Sequence, residues 1–195
     1  MNVGLDPLTV DEGAFLLTLA RTAVTTRLAG LPAPEPTVTA ARLREAQGAF
    51  VTVLLQERLR GCIGMIQPRE PLWRVVLHCA LAAGFEDPRF APLQSSEETG
   101  LAFEVSVLSP PRPVRDPSEI RIGRDGLMVT LGRRQGLLLA QVAVEHGWDV
   151  AGFLRQTCHK AGLEEDAWMR GARIEAFESQ VFSERPRSAA RGPSA

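Results

Sequence analysis

Tyrosine is absent from this 195-residue sequence, and lysine occurs once, at Lys160. The first absence removes phenolic acids, bases and radicals from the available chemistry. The second leaves one candidate for a Schiff-base or phosphate-binding lysine, and Lys160 lies in no glycine-rich loop. No apolar run approaches the ~18 residues of a membrane-spanning helix. The opening MNVGLDPLTV has no basic segment leading into an apolar one, so no secretory leader is expected. Cysteine is scarce: Cys62, Cys79 and Cys158. An odd, low number reads as reduced thiols in a cytoplasmic protein. No two cysteines stand in a CxxC pair, which excludes a zinc ribbon. His78 adjoins Cys79 and His159 adjoins Cys158, but neighbours on a helix diverge by about 100°. Neither pair chelates an ion by itself, so no metal site is assigned and the cofactor, if any, is unknown.

The charges balance, with 22 basic and 23 acidic residues and a net charge of -1. Such a surface gives no support to nucleic-acid binding by bulk electrostatics. With 45% hydrophobic residues the chain can bury a core. Its length suits one domain, or two small lobes sharing a core, over residues 1–184. The last stretch, from Ser183 on, is nearly devoid of apolar residues and is expected to be a disordered tail over 185–195.

Thr9 and Glu12 form a capping-box pattern ahead of an apolar stripe at Leu16, Leu19, Ala20, Ala23 and Val24, which predicts a helix over 10–29. Prolines at 32, 34 and 36 then break the chain. Residues 48–56 and 59–67 are two β-type runs with a short link, hence a hairpin. A helix follows from Leu72, with Val75, Val76, Cys79, Ala80 and Ala83 inward and Gly84 as its stop. Residues 85–100 read as a long loop, and Leu101–Leu108 alternates as a strand. A second hairpin is expected around Arg124-Asp125-Gly126, linking residues 120–122 with 127–131. Asp149 caps a last helix that Gly162 closes, and a final strand runs over 172–182. Clustered strands and hairpins make this an α+β chain, with mixed or antiparallel sheets flanked by helices.

The most unusual segment is Leu59-Arg60-Gly61-Cys62-Ile63-Gly64. Strand alternation puts Arg60, Cys62 and Gly64 on one face. Two glycines weaken a strand, and they permit a bulge or the close approach of a backbone or a ligand. Arg60 beside Cys62 would favour a thiolate, making Cys62 a candidate nucleophile or redox thiol. The competing reading is a small cysteine packed under a helix, with glycines serving sheet geometry. Glu86-Asp87-Pro88-Arg89-Phe90 is the second polar concentration: either a salt-bridged turn pinning a long loop, or one wall of a cleft. Glu104 on the polar face of its strand could add a carboxylate, and His146 is a possible base for Cys62. Candidate catalytic residues are thus Cys62, Asp87 and Glu104. Candidate binding residues are Arg60, Gly61, Gly64, Arg89 and His146.

These blocks, RGCIG at 60–64, EDPRF at 86–90, EVSVLS at 104–109, GWD at 147–149 and TCHKAGL at 157–163, occur in an order that resembles the AMMECR domain family. The bacterial and archaeal branch is the AmmeMemoRadiSam system protein A, and the resemblance covers roughly residues 10–184. It implies a two-lobed α+β fold with the RGCIG strand lining a cleft. It also implies the company of a radical-SAM enzyme and a Memo-like protein. It implies no reaction. Ala91 and Ala140 stand where the family pattern has proline. Two functions remain open at this point: a binding or adaptor component, and an enzyme using Cys62.

Overall fold

The structure is a computed structural model that describes residues 7–184, so the expectation for 185–195 lies outside the described residues. The chain divides into two compact units. Residues 7–108 and 180–184 form one, and Ser109–Ser179 the other.

In the first unit α1 spans Val10–Leu28 and begins as expected: the Glu12 N–H donates to Thr9 Oγ1, and Glu12 Oε2 accepts from the Thr9 N–H. Such a cap is worth about 1 kcal/mol. The hairpin consists of β1, Ala49–Leu55, and β2, Arg58–Met65. Its two-residue turn places Gln56 at φ 49° and Glu57 at φ 69°, a conformation that favours glycine or asparagine over long side chains. Helix α2 covers Leu72–Phe85 with Pro71 at its N-cap. It runs one residue past Gly84, the expected stop. The loop after it is less irregular than its composition suggests, since Ser95–Gly100 winds into a 3-10 helix. Strand β3 is Leu101–Leu108. The sheet runs β2-β1-β3, antiparallel throughout.

One face of this sheet is apolar because its strands alternate: Val51, Val53, Phe103, Val105 and Val107 are buried. Against them pack Leu16, Ala20 and Val24 of α1 and Val75, Val76, Cys79 and Ala80 of α2. Each fully buried aliphatic side chain here contributes about 1.5–3 kcal/mol.

The second unit holds β4 (Arg112–Pro113), β5 (Asp125–Leu131), β6 (Arg134–Leu138), α3 (Ala140–Glu145), α4 (Val150–Lys160) and β7 (Arg173–Ser183) through Ser179. Strand β5 pairs antiparallel with both β6 and β7, and β4 pairs with β7. Leu127, Val129, Ile174 and Ala176 meet Phe153, Leu154 and Cys158 of α4 in this unit's own apolar cluster. Asp149 caps α4 by accepting from the Gly152 N–H, and Gly162 follows its end at φ 67°, both as expected.

The hairpin expected around Arg124-Asp125-Gly126 does not exist. Residues 120–122 form no strand, and β5 turns back into β6 through Gly132 and Arg133. Asp125-Gly126 has the chemistry of a hairpin turn, but another demand on Asp125 prevails. Its fully buried carboxylate accepts from Arg112 (3.0 Å), Arg124 (2.8 Å) and the Arg121 N–H (2.8 Å). Burial by itself would raise its pKa; the hydrogen bond from Arg124, the Arg121 N–H and the two guanidinium charges outweigh this and lower it. Ser183, expected to open the tail, instead ends β7.

A main-chain clamp around Cys62

The geometry of the site starts with an irregularity in β2. In the β1–β2 ladder Val53 pairs with Gly61 but Leu54 pairs with Leu59, so Arg60 has no partner and forms a β-bulge. The regular alternation from which Arg60 was expected beside Cys62 is therefore interrupted at Arg60 itself. The Arg60 side chain bonds to Glu97 at 2.7 and 3.1 Å and to the Ala91 carbonyl at 2.7 Å. Its charge ties down the 86–100 loop, and the Arg60 hydrogen bond lowers the Glu97 pKa. Ala91, standing where the family pattern has proline, takes part through its carbonyl, which either residue supplies.

Past the bulge, Cys62 lies opposite Thr52, and Thr52 lies opposite Glu104. Thiol, hydroxyl and carboxylate thus form a row across three strands, on the face opposite the core. The Thr52 hydroxyl is 3.4 Å from the Cys62 sulfur. Cys62 is partly buried and free.

The strongest interactions at Cys62 engage its main chain. The Cys62 N–H donates to Asp87 Oδ2 at 2.9 Å, and its carbonyl accepts from the Arg89 guanidinium at 3.2 Å. Both main-chain groups therefore point away from β1, out of the sheet edge. Cys62 and Thr52 are accordingly a non-hydrogen-bonded pair, with the closer side-chain approach, about 4.5 Å between Cα atoms. Asp87 and Arg89 are joined to each other by Nε–Oδ1 (3.0 Å) and NH2–Oδ2 (2.7 Å) bonds, and the Arg89 N–H also donates to Oδ1 (3.1 Å). The Asp87 side chain is 2% exposed and that of Arg89 is 52% exposed. Hydrogen bonding from Arg89 above all, with the Cys62 and Arg89 N–H groups, holds the Asp87 carboxyl far below the usual carboxylate range. The salt-bridged turn anticipated in EDPRF is present, and Asp87 rather than Glu86 is the partner of Arg89.

The two glycines of the segment have packing roles. A Cβ on Gly61 would lie 1.9 Å from the Ala83 carbonyl oxygen, so the glycine lets β2 approach the backbone of α2. A Cβ on Gly64 would lie 2.2 Å from the ring of Phe50, its cross-strand partner. The aromatic ring covers the gap that the glycine leaves. Cys79 and Cys158 are fully buried. Burial pushes the Cys79 thiol up to about 12 and raises that of Cys158. His146 belongs to the other unit, where its ring stacks on Trp148 at 4.6 Å.

Among the described residues no cluster of three or more His, Cys, Asp or Glu side chains is placed to share a metal ion. No helix among them is long and apolar enough to cross a membrane. Sequence reasoning gave no site role to Thr52, Phe50 or Glu97, although Phe50-Val51-Thr52 belongs to the family's pattern of blocks. The first two lie opposite Cys62 and Gly64, but counting back from the turn pairs Thr52 with Gly61, because the bulge is invisible in the count.

The sequence matches the AMMECR1 family over residues 17–182. The chain belongs to that family. AMMECR1-family relatives include a protein from Thermofilum pendens, 45% identical over 91% of this chain and 92% of its own length. Another, from Methanothermobacter thermautotrophicus, is 42% identical over 91% of this chain and 97% of its own. The crystal structure of an uncharacterised protein from Pyrococcus horikoshii superposes with a TM-score of 0.85 at 40% identity, covering 95% of this chain and 96% of that one. The AMMECR1-type α+β fold is thus shared along nearly the whole chain.

Proposed function

We propose that this AMMECR1-family chain is a cytosolic binding or adaptor component that acts with a radical-SAM enzyme and a Memo-like protein. Its recognition surface is the sheet face that carries Cys62, Thr52 and Glu104. The observation that supports this reading over catalysis is the direction of the polar groups around Cys62. Asp87 and Arg89 hold its main chain, and Arg60 holds the loop. Groups arranged in this way fix the shape of a surface. The partners follow from the family resemblance, and the three free thiols suit a reducing compartment.

A second reading, an enzyme using Cys62 as nucleophile or redox thiol, draws on the Thr52 hydroxyl beside the sulfur and on Glu104 next in the row. The two separate in one co-expression experiment with the radical-SAM and Memo-like proteins. Under the binding reading Thr52→Arg, which places a long charged side chain on the face, abolishes co-purification with an unchanged melting temperature, and Cys62→Ser retains it. Full capture by Thr52→Arg overturns the reading. Loss of capture on changing the single sulfur atom of Cys62 favours thiol chemistry instead.

A further inference from the structure

Strand β2 ends the strand order of its sheet, so among the described residues one side of it faces no strand. Such an edge presents free N–H and C=O groups to any other extended chain, and natural sheets guard against this with bulges, charges or a covering loop. All three occur on β2. The bulge at Arg60 disturbs the first half of the strand. Arg60 fastens the loop through the Ala91 and Pro92 carbonyls. At Cys62 a carboxylate accepts from the N–H and a guanidinium donates to the C=O. That is the same acceptor and donor couple which a residue of an antiparallel neighbour would supply. The couple is preassembled, because Asp87 and Arg89 bond to each other independently of β2.

We infer that Asp87-Pro88-Arg89 is an edge cap that stands in for a neighbouring strand at Cys62 and keeps β2 from pairing with β2 of a second copy of this chain. This goes beyond the proposed binding role and does not depend on it. A second copy is the occupant that the edge itself specifies. Antiparallel pairing about a two-fold axis at Ile63 is self-complementary, with the main-chain groups of Cys62 meeting those of Gly64 in the other copy. Gly64 has no side chain to obstruct the opposing cysteine. The strand also carries two exposed apolar residues, Leu59 near its start and Met65 at its end, which an uncapped edge would present along with its main chain.

The test compares the full chain with the double variant Asp87→Ser/Arg89→Ser by light scattering across a concentration series, with amide hydrogen exchange read over residues 58–65. Circular dichroism melting verifies that the variant folds. The expected result is a twofold rise in the variant's mass relative to wild type, with β2 amides that exchange fast in dilute samples and become protected as concentration rises. Wild-type β2 amides show no such concentration dependence. A folded variant whose mass tracks the wild type throughout overturns the inference, and so does association without added protection in β2. Should the double variant fail to fold, Arg89→Ser alone, which frees the Cys62 carbonyl and leaves Asp87 on the N–H, is judged by the same criteria.

Discussion

Gly61→Ala tests the close approach of strand and helix on which the Cys62 geometry rests. The added methyl would meet the Ala83 carbonyl oxygen at 1.9 Å, well inside van der Waals contact. That oxygen belongs to the backbone of α2, so no rotamer change relieves the overlap, and β2 and α2 must separate. Overpacking costs about 1–3 kcal/mol, and a backbone obstacle puts this case near 3. For a chain of this size each kcal/mol lowers the melting temperature by about 2–4 °C, which makes the expected loss about 6–12 °C. Gly64→Ala is the internal control. Its obstacle is the Phe50 ring at 2.2 Å, which can rotate away, so the loss is nearer about 1 kcal/mol and shrinks when Phe50→Leu is added. Calorimetry on the three variants reads these values directly. Wild-type melting by Gly61→Ala, or equal losses at the two glycines, would refute the argument.

Native thiol titration with a chromogenic disulfide should count one reactive cysteine, Cys62, with Cys79 and Cys158 appearing only in denaturant; immediate reaction of all three would contradict their burial. Asp87 and Asp125 have lowered folded-state pKa values, so the stability they contribute is present above the ordinary carboxylate pKa of about 3.9 and is lost as the pH falls below it. Urea unfolding between neutral pH and pH ~3 should therefore lose less stability in Asp87→Asn than in wild type, and parallel losses would show that Asp87 is not responsible. The β1–β2 turn is built from residues ill suited to positive φ, so Gln56→Asn/Glu57→Gly should raise stability by about 0.5–1 kcal/mol, read as a shift in the denaturation midpoint.

Much of the architecture is local and was legible in the residues. The Thr9–Glu12 capping box, the Asp149 cap, the closing Gly162 and the alternation of β3 each state a structure within a few residues, because short-range hydrogen bonding and hydrophobic period decide them. The order of the RGCIG and EDPRF blocks was enough to indicate the family. The second hairpin was misplaced because Asp125-Gly126 satisfies the local rule for a turn, while the partners that draw Asp125 inward, Arg112 and Arg124, act through side chains that no local rule sees.

By itself the sequence determined the main helices, the first hairpin and β3, the apolar face of each, and that Cys62 lies in a glycine-rich ribbon. Tertiary structure alone decided what surrounds that cysteine. One unpaired residue at Arg60 shifts the register and sets the thiol opposite Thr52, and its guanidinium bonds to Glu97. A loop 25 residues away in the chain then supplies the groups that grip its main chain. Where a strand bulges depends on its pairing and packing distances in the folded chain, which no spacing in the sequence encodes.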